Sequence, residues 1–143
     1  MDLERLVSTH LEAENDHRLE DTLATLHEEC VFEDRALGQI FHGRKGAGEY
    51  YTMWWNAFDL VVRGERRHWT AEPSLIAETH YLGTHVGEFL GIPPTGKPIN
   101  FPVAVIITFR DGLMAGERFY YDLSTLLRQL GVTEIPARLL SKG

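Results

Sequence analysis

Apolar side chains recur every three or four positions in the first part of the chain, which is the spacing of amphipathic helices. Residues 2–15 follow this pattern, and a shorter segment follows from Leu19 to Leu26. A third segment, 44–58, has Tyr, Trp and Phe side chains on one wide face. The first segment carries its pattern on Leu3, Leu6, Val7, His10 and Leu11. We therefore predict three N-terminal helices.

Beyond residue 58 the apolar period changes to two, the period of β-strands. A brief strand is also expected earlier, over 30–34, ended by a glycine-containing loop. The Asp111–Gly112 dipeptide is a strong hairpin signal. A last helix is predicted from Leu123 to Leu130, ending at Gly131 as a C-cap. The later strands are expected near 60–70, 74–89, 98–110 and 113–122.

Helices followed by a run of antiparallel strands predict an α+β fold. We expect a curved antiparallel sheet with the three N-terminal helices laid across it. This arrangement forms a cone with an internal pocket, a kind of site that binds small apolar ligands. Residues 1–131 are predicted to form one domain, and 132–143 a C-terminal tail.

Charge and cysteine content exclude several classes of protein. The chain has 143 residues and a net charge of −7, with no basic stripe, so a nucleic-acid partner is not expected. The single cysteine, Cys30, excludes an internal disulfide. The charged N-terminus does not fit a signal peptide, and no apolar run reaches membrane-spanning length. A cytoplasmic protein without membrane contact is expected.

Three stretches carry a resemblance to a known family: residues 83–97, residues 109–112 (Phe-Arg-Asp-Gly), and residues 119–131 (Phe-Tyr-Tyr-Asp-Leu-Ser-Thr-Leu-Leu-Arg-Gln-Leu-Gly). Together they resemble the SnoaL-like polyketide cyclases. These belong to the superfamily with the nuclear-transport-factor-type cone fold, which includes ketosteroid isomerase and limonene epoxide hydrolase. The resemblance implies a cofactor-free intramolecular aldol reaction in antibiotic biosynthesis. It also implies one Asp as general acid/base, at the position of Asp122.

Strand alternation places Arg118, Tyr120 and Asp122 on one face. If that face lines the pocket, Asp122 is desolvated, its pKa is raised, and it suits proton exchange near neutral pH. Arg118 and Tyr120 would then contact the substrate. The alternative is that Asp122 only N-caps the helix beginning at Leu123. Glu117 falls on the opposite face, where a core salt bridge or a dimer contact is expected.

Asp34 is the second candidate base, because the Val-Phe-Glu-Asp stretch of residues 31–34, which precedes a glycine-containing loop, resembles the ketosteroid isomerase motif. That motif continues with Pro, whereas this chain has Arg35, which could hold Asp34 ionised. The alternative is a strand-end Asp that caps a turn. His85, between Gly83 and Gly87, is a candidate hydrogen-bond donor to a substrate oxygen, or else a packed histidine.

The aromatic helix offers two i, i+4 pairs, Tyr51 with Trp55 and Tyr50 with Trp54, and flat rings suit a polycyclic ligand. Tyr51 and Trp55 are taken as substrate-binding candidates. No metal site is expected, because His80 and His85 are five apart on a strand and point to opposite faces.

These observations support a cofactor-independent cyclase acting on a small apolar or polycyclic carbonyl compound. The alternatives are a non-catalytic binding or stress-related protein of the same fold, a ketosteroid isomerase-like enzyme, or an epoxide hydrolase using Asp34, Arg118 and Asp122. Apolar residues on both faces of strand 98–110 predict a homodimer.

Overall fold

The fold is described by a computed structural model for residues 2–134. Its helices are α1 (Leu3–Asn15), α2 (Leu19–Ala24), α3 (Gly43–Ala57) and α4 (Leu123–Gln129). Its strands are β1 (Leu26–Asp34), β2 (Gln39–His42), β3 (Val61–Trp69), β4 (Leu75–Thr84), β5 (Pro98–Arg110) and β6 (Leu113–Tyr120). The predicted three N-terminal helices and one C-terminal helix are confirmed. Residues 135–143 of the expected tail lie outside the described residues.

The six strands form one curved sheet in the order β2-β1-β6-β5-β4-β3. The predicted α+β class is therefore confirmed, with one exception to the antiparallel pattern. Strand β1 pairs with β6 in parallel, so that Asp34 lies opposite Phe119, while the other pairs are antiparallel. The parallel pair brings the end of β1 beside the end of β6.

Several strand bounds differ from the sequence prediction, among them the end of β6, at Tyr120 rather than at residue 122. Strand β1 begins at Leu26, which the apolar spacing had assigned to the second helix. Strand β2 occupies part of the expected loop and pairs along the edge of β1. Strand β4 ends at Thr84 rather than near residue 89, because His85 leaves the ladder for an isolated bridge with Phe58.

Local signals set the ends of several elements. Asp2 caps α1 by accepting a hydrogen bond from the Arg5 amide at 3.2 Å. The β5–β6 hairpin turns at Asp111 and Gly112, with φ of 53° and 74°. Two consecutive positive φ angles are what a type I′ turn requires, and they explain why this dipeptide predicted the hairpin correctly.

The core lies between the concave face of the sheet and helices α1 and α3. Val103, Val105 and Ile107 of β5 are buried on the concave face, and Tyr50 and Trp54 of α3 pack from the other side. Within residues 2–134, the helices are too short or too polar to cross a membrane.

Candidate functional site

A cavity of about 440 Å³ lies between α1 and the concave face of strands β3 to β6. Apolar side chains form much of its wall, among them Val7, Val62, Val105, Ile107 and Phe119. The ionisable groups at its deep end are His10, Glu14, Tyr81 and Glu117, and charged residues of α1 and β3 surround the mouth. A mostly apolar pocket with a few convergent polar groups is the usual form of a small-molecule site.

Glu117 is the buried carboxyl of this cavity. It lies on β6, where Met114, Glu117 and Phe119 are buried, and its residue surface is only 5% exposed. Burial raises the pKa of Glu117 from 4.5 to about 7; the nearby His10 and a hydrogen bond from Tyr51 oppose the rise. A carboxyl with a pKa near neutrality can both accept and return a proton at physiological pH.

Tyr51 and His10 connect to Glu117 from two helices. The Tyr51 hydroxyl donates to Glu117 Oε2 over 3.1 Å and lies 3.0 Å from His10 Nε2. His10 Nε2 also lies 3.4 Å from Glu14 Oε1 and 3.9 Å from Glu117 Oε1. Burial lowers the pKa of His10, but the Glu14 hydrogen bond and the carboxylates outweigh it, so the pKa is raised. The four groups form one buried cluster of ionisable side chains.

Tyr81 of β4 adds a hydroxyl to the cavity wall. Its side chain is 4% exposed and packs against Trp54 and Phe101. Tyr81 is among the residues that line the cavity, so its hydroxyl is within reach of a ligand oxygen. Burial and the charges of Glu14 and Glu117 raise the pKa of Tyr81 well above 10, which keeps the hydroxyl protonated.

A β-bulge in β3 shapes the mouth of the cavity. Gly64 pairs with Thr79 and Arg66 with Glu78, which leaves Glu65 as the additional residue. Because of this additional residue, Arg67 lies on the concave side of the sheet. There its guanidinium donates to Glu4 at 2.7 Å and to Ser8 at 3.2 Å. Arg67 therefore links β3 to the N-terminal half of α1 across the cavity rim.

Asp122 does not occupy the environment expected of it. Its carboxylate is exposed and caps α4, accepting from the Ser124 amide at 3.0 Å, the Ser124 hydroxyl at 2.7 Å and the Thr125 hydroxyl at 2.9 Å. These hydrogen bonds lower the pKa of Asp122, so the expectation of a desolvated carboxyl with a raised pKa is wrong. The N-cap alternative describes the observed geometry.

Arg118 and Tyr120 alternate along β6 with Glu117 and Phe119, which line the cavity, so their expected place at the pocket is also wrong. Tyr120 is 37% exposed, and the Arg35 guanidinium lies 5.5 Å from its ring centre. Arg35 pairs with Glu33 at 2.8 Å and turns away from Asp34. The alternation along β6 was predicted correctly, but Glu117 and Phe119 are the residues that face the cavity.

Asp34 is enclosed at the end of β1 and is 1% exposed. Oδ1 accepts from the amides of Ala36 and Leu37, and Oδ2 accepts from the hydroxyls of Tyr50 and Tyr121, both at 2.8 Å. Burial raises the pKa of Asp34, and the hydrogen bonds only partly offset this. Four donors occupy the carboxylate and it does not line the cavity, so the turn-capping alternative fits best.

His85 is fully buried but lies outside the lining of the cavity. Its Nδ1 accepts from the Thr95 amide at 3.1 Å and lies 3.0 Å from the Thr95 hydroxyl. Its ring packs on Phe58, with the centres 5.3 Å apart. These contacts match the packed-histidine alternative and tie the end of β4 to the following loop.

Of the aromatic candidates, Tyr51 belongs to the ionisable cluster and Trp55 stands behind it. Trp55 is half-buried and stacks between His17 and Tyr51, with ring centres 4.8 Å and 5.4 Å away. It does not line the cavity and holds Tyr51 in place instead. The residues that sequence reasoning missed are His10, Glu117 and Tyr81.

A signal for His10 was present, because it fell on the apolar face of the first predicted helix. No comparable signal identified Glu117, whose inward orientation depends on the pairing of β6 with its neighbours. Within the described residues, no group of three or more His, Cys, Asp or Glu side chains is placed to hold a metal ion.

The fold is an α+β domain with a curved sheet, and its cavity holds a buried cluster of ionisable side chains. The model of the SnoaL-like polyketide cyclase family matches residues 4–130. The chain therefore belongs to the SnoaL-like polyketide cyclase family. A search of curated proteins gave no match.

Solved structures share this fold. TsrD from Streptomyces laurentii is 26% identical, with a TM-score of 0.79 over 92% of this chain and 98% of that one. IdmH from Streptomyces antibioticus, a candidate polyketide cyclase, is 23% identical, with a TM-score of 0.78 over 92% and 100%. A Catenulispora acidiphila protein with a ketosteroid isomerase-like fold, solved with trimethylamine, is 18% identical, with a TM-score of 0.78 over 92% and 97%.

Proposed function

We propose that this protein is a cofactor-independent cyclase that closes a ring by an intramolecular aldol reaction, with Glu117 as the general acid/base. One observation carries the proposal: a carboxyl with a pKa of about 7 lies buried at the deep end of an apolar cavity. Family membership supplies the reaction class, and the cavity supplies a base at a position other than Asp122.

In the proposed reaction, the Glu117 carboxylate takes a proton from a carbon flanked by two carbonyl groups. The resulting enolate attacks a second carbonyl of the same molecule, and a carbon–carbon bond forms as that carbonyl becomes an alkoxide. The Tyr81 hydroxyl donates a hydrogen bond to a developing oxyanion. Protonated Glu117 then returns its proton to the alkoxide, so the cycle consumes no external proton. The apolar wall holds the chain folded for attack.

The size of the cavity limits the substrate. Water occupies about 30 Å³ per molecule in the liquid, so a cavity of about 440 Å³ has room for about 15 waters. This volume lies within the range of about 300–1,000 Å³ that is typical of small-molecule sites, so it fits a small carbonyl compound. Arg67 at the rim gives such a compound a cation near its outer end.

Hydrogen–deuterium exchange tests the proposal without knowledge of the natural substrate. The probe is ethyl 1-oxotetralin-2-carboxylate, a two-ring keto ester with an acidic carbon between its carbonyl groups, and deuterium incorporation is followed by NMR in heavy water. We expect wild-type protein to exceed the buffer rate, and Glu117→Gln to lose at least about 100-fold of the protein-dependent rate. Glu12→Gln, on the exposed side of α1 and outside the lining of the cavity, is the charge-matched control and should stay near wild type.

Two outcomes would overturn the proposal. Equal exchange by wild type and Glu117→Gln would remove Glu117 as the base. Saturable binding of the keto ester with no exchange above buffer would favour a non-catalytic binding protein of the same fold. An isomerase would share the exchange step and would be recognised by return of the proton to a different carbon. The hydrolase alternative has less support, because Asp34 is enclosed and neither Arg118 nor Asp122 lines the cavity.

A homodimer formed through the convex face of the sheet is part of the same proposal. Ile76 and Ile106 are cross-strand partners on that face, and Tyr120 pairs opposite Ala104. Ile76 and Tyr120 are 36% and 37% exposed, which leaves apolar surface for a second copy. Sedimentation equilibrium at micromolar concentration should give twice the chain mass, and Ile76→Lys should give the monomer. A monomeric wild type would refute the dimer.

A further inference from the structure

The hydrogen bonds of His10 fix which of its ring nitrogens carries a proton. The Thr25 hydroxyl donates to the Thr22 carbonyl at 2.7 Å, and this bond uses the only hydrogen of the hydroxyl. His10 Nδ1 lies 2.7 Å from the same hydroxyl oxygen and must therefore be the donor of that bond. The Thr25 side chain is buried and lies outside the lining of the cavity, so cavity water does not compete for this bond. Nδ1 stays protonated whether the ring is neutral or charged.

Because Nδ1 keeps its proton, Nε2 is the ring nitrogen that gains or loses the exchangeable proton. Its nearest partner is the Tyr51 hydroxyl at 3.0 Å, and the same hydroxyl lies 3.1 Å from Glu117 Oε2. One hydroxyl therefore stands between a titrating nitrogen and a titrating carboxyl. Glu14 Oε1, at 3.4 Å, is the other group close to Nε2.

This geometry allows two arrangements of the same protons. In the first, Nε2–H donates to the Tyr51 oxygen, Tyr51 donates to Glu117, and the pair is an imidazolium and a carboxylate. In the second, protonated Glu117 donates to the Tyr51 oxygen, Tyr51 donates to neutral Nε2, and both partners are uncharged. Two proton shifts through Tyr51 convert one into the other, and no atom other than hydrogen moves far.

We propose that His10 is the proton partner of Glu117, acting through Tyr51, and that Thr25 is a positioning residue that keeps Nε2 free to accept the proton. The inference rests on the proposed role of Glu117. Thr25 acts on His10 as the buried carboxylate of a catalytic triad acts on its histidine, by fixing the tautomer. With the other tautomer, neutral His10 would present Nε2–H to Tyr51 and could not take up a proton from Glu117.

The charges around the cluster are consistent with this role. Glu14 on α1 and Glu117 on β6 face His10 as carboxyls, and Tyr51 on α3 faces it as a hydroxyl, while Tyr81 on β4 lies near both carboxyls. The thiol of Cys30, on β1, lies close enough to Glu117 to respond to its charge. Among residues 2–134, His10 is the cation paired with Glu117, so its proton is what makes an ionised Glu117 tolerable in this buried site.

Nitrogen-15 NMR of the wild-type protein tests the tautomer directly and needs no substrate. We expect neutral His10 to show a protonated Nδ1 and an unprotonated Nε2. Thr25→Val, which keeps the shape of the side chain and removes the hydroxyl, should lose this preference, and Thr25→Ser should retain it. A wild-type His10 protonated at Nε2 when neutral would overturn the inference even if Glu117 proves to be the base.

The pH profile of keto-ester exchange separates a proton role from a structural one. Without the cation, Glu117 ionises at higher pH, so His10→Gln should lose about tenfold at pH 7 and recover as the pH rises. Thr25→Val keeps the imidazole but removes the acceptor of Nδ1–H, so it should show a smaller loss with the same recovery. Thr25→Ser should stay within about twofold of wild type. An equal loss at every pH would show that these residues only support the fold and would refute the relay. If Thr25→Val fails to fold, His10→Gln and wild-type NMR still decide the question.

Discussion

Tyr51 donates its hydroxyl hydrogen to Glu117 Oε2 over 3.1 Å, although the two side chains come from α3 and β6. Burial and the charge of Glu117 raise the pKa of Tyr51 well above 10, so this donor stays protonated through the neutral range. The hydrogen bond stabilises the carboxylate form of Glu117, while burial favours the protonated form. These opposing effects place the carboxyl near its midpoint at neutral pH.

The same burial makes Glu117 a source of pH-dependent instability. Its pKa is about 7 in the folded protein, above the ordinary 4.5. The folded state therefore holds this proton more tightly than the unfolded state, and the resulting stability is lost as the pH rises from about 4.5 through 7. The raised pKa of His10 acts in the same direction. Glu117→Gln removes the carboxyl and should lose less stability than wild type between pH 5 and pH 8.

Urea denaturation at pH 5 and pH 8 measures this difference. The pKa change of Glu117 corresponds to about 3 kcal/mol at most between the two states. Glu12→Gln, on the exposed side of α1, is the matched control and should follow the wild-type pH dependence. A Glu117→Gln variant with an unchanged pH dependence would show that Glu117 titrates normally in the folded protein.

Asp122 should matter for stability rather than for proton exchange. Asn is a good N-cap and Ala is a poor one, so Asp122→Asn should keep the wild-type Tm, whereas Asp122→Ala should lower it. Both variants should exchange deuterium into the keto ester within about twofold of wild type, because the carboxylate lies in solvent outside the cavity. Loss of exchange in a stably folded Asp122→Asn protein would restore Asp122 as the base.

Asp34 should prove essential to the fold. Asp34→Ala leaves two buried tyrosine hydroxyls and two amides without their acceptor, and each unsatisfied group costs about 1–3 kcal/mol. We expect a loss of at least about 3 kcal/mol in urea denaturation, and a smaller loss for Asp34→Asn, which keeps one acceptor oxygen. A loss of exchange activity in Asp34→Asn without a loss of stability would favour the ketosteroid isomerase-like alternative.

Local patterns predicted most of the fold but not the chemistry of the cavity. The apolar spacing that predicts α1, α3 and β6 depends only on residues close together in the chain, and these elements were predicted correctly. Alternation also separated Glu117 from Asp122, but it does not say which face of a strand is concave. That depends on the parallel pairing of β1 with β6, a contact between distant parts of the chain. The hydroxyl link through Tyr51 depends on the same packing.

Glycine positions in the family-like segment show a second limit of sequence reasoning. The glycines beside His85 predicted a close approach of backbone or ligand, and the structure places backbone there. A Cβ at Gly87 would overlap the carbonyl oxygen of Asn56, and one at Gly83 would lie 2.8 Å from the carbonyl oxygen of Asp59. These glycines let the start of the 85–97 loop pack against the end of α3.

Alanine at Gly87 and at Gly48 should therefore have opposite effects on stability. Gly87→Ala forces the α3 end and the loop apart and should lower the unfolding free energy by more than 1 kcal/mol, within the range of about 1–3 kcal/mol for overpacking. Gly48 lies inside α3, where an added Cβ meets only Leu23 at 3.6 Å, so Gly48→Ala should raise stability by about 0.5–1 kcal/mol. Urea denaturation of both variants measures the two effects, and a Gly87→Ala protein as stable as wild type would show that the loop does not pack against α3 as described.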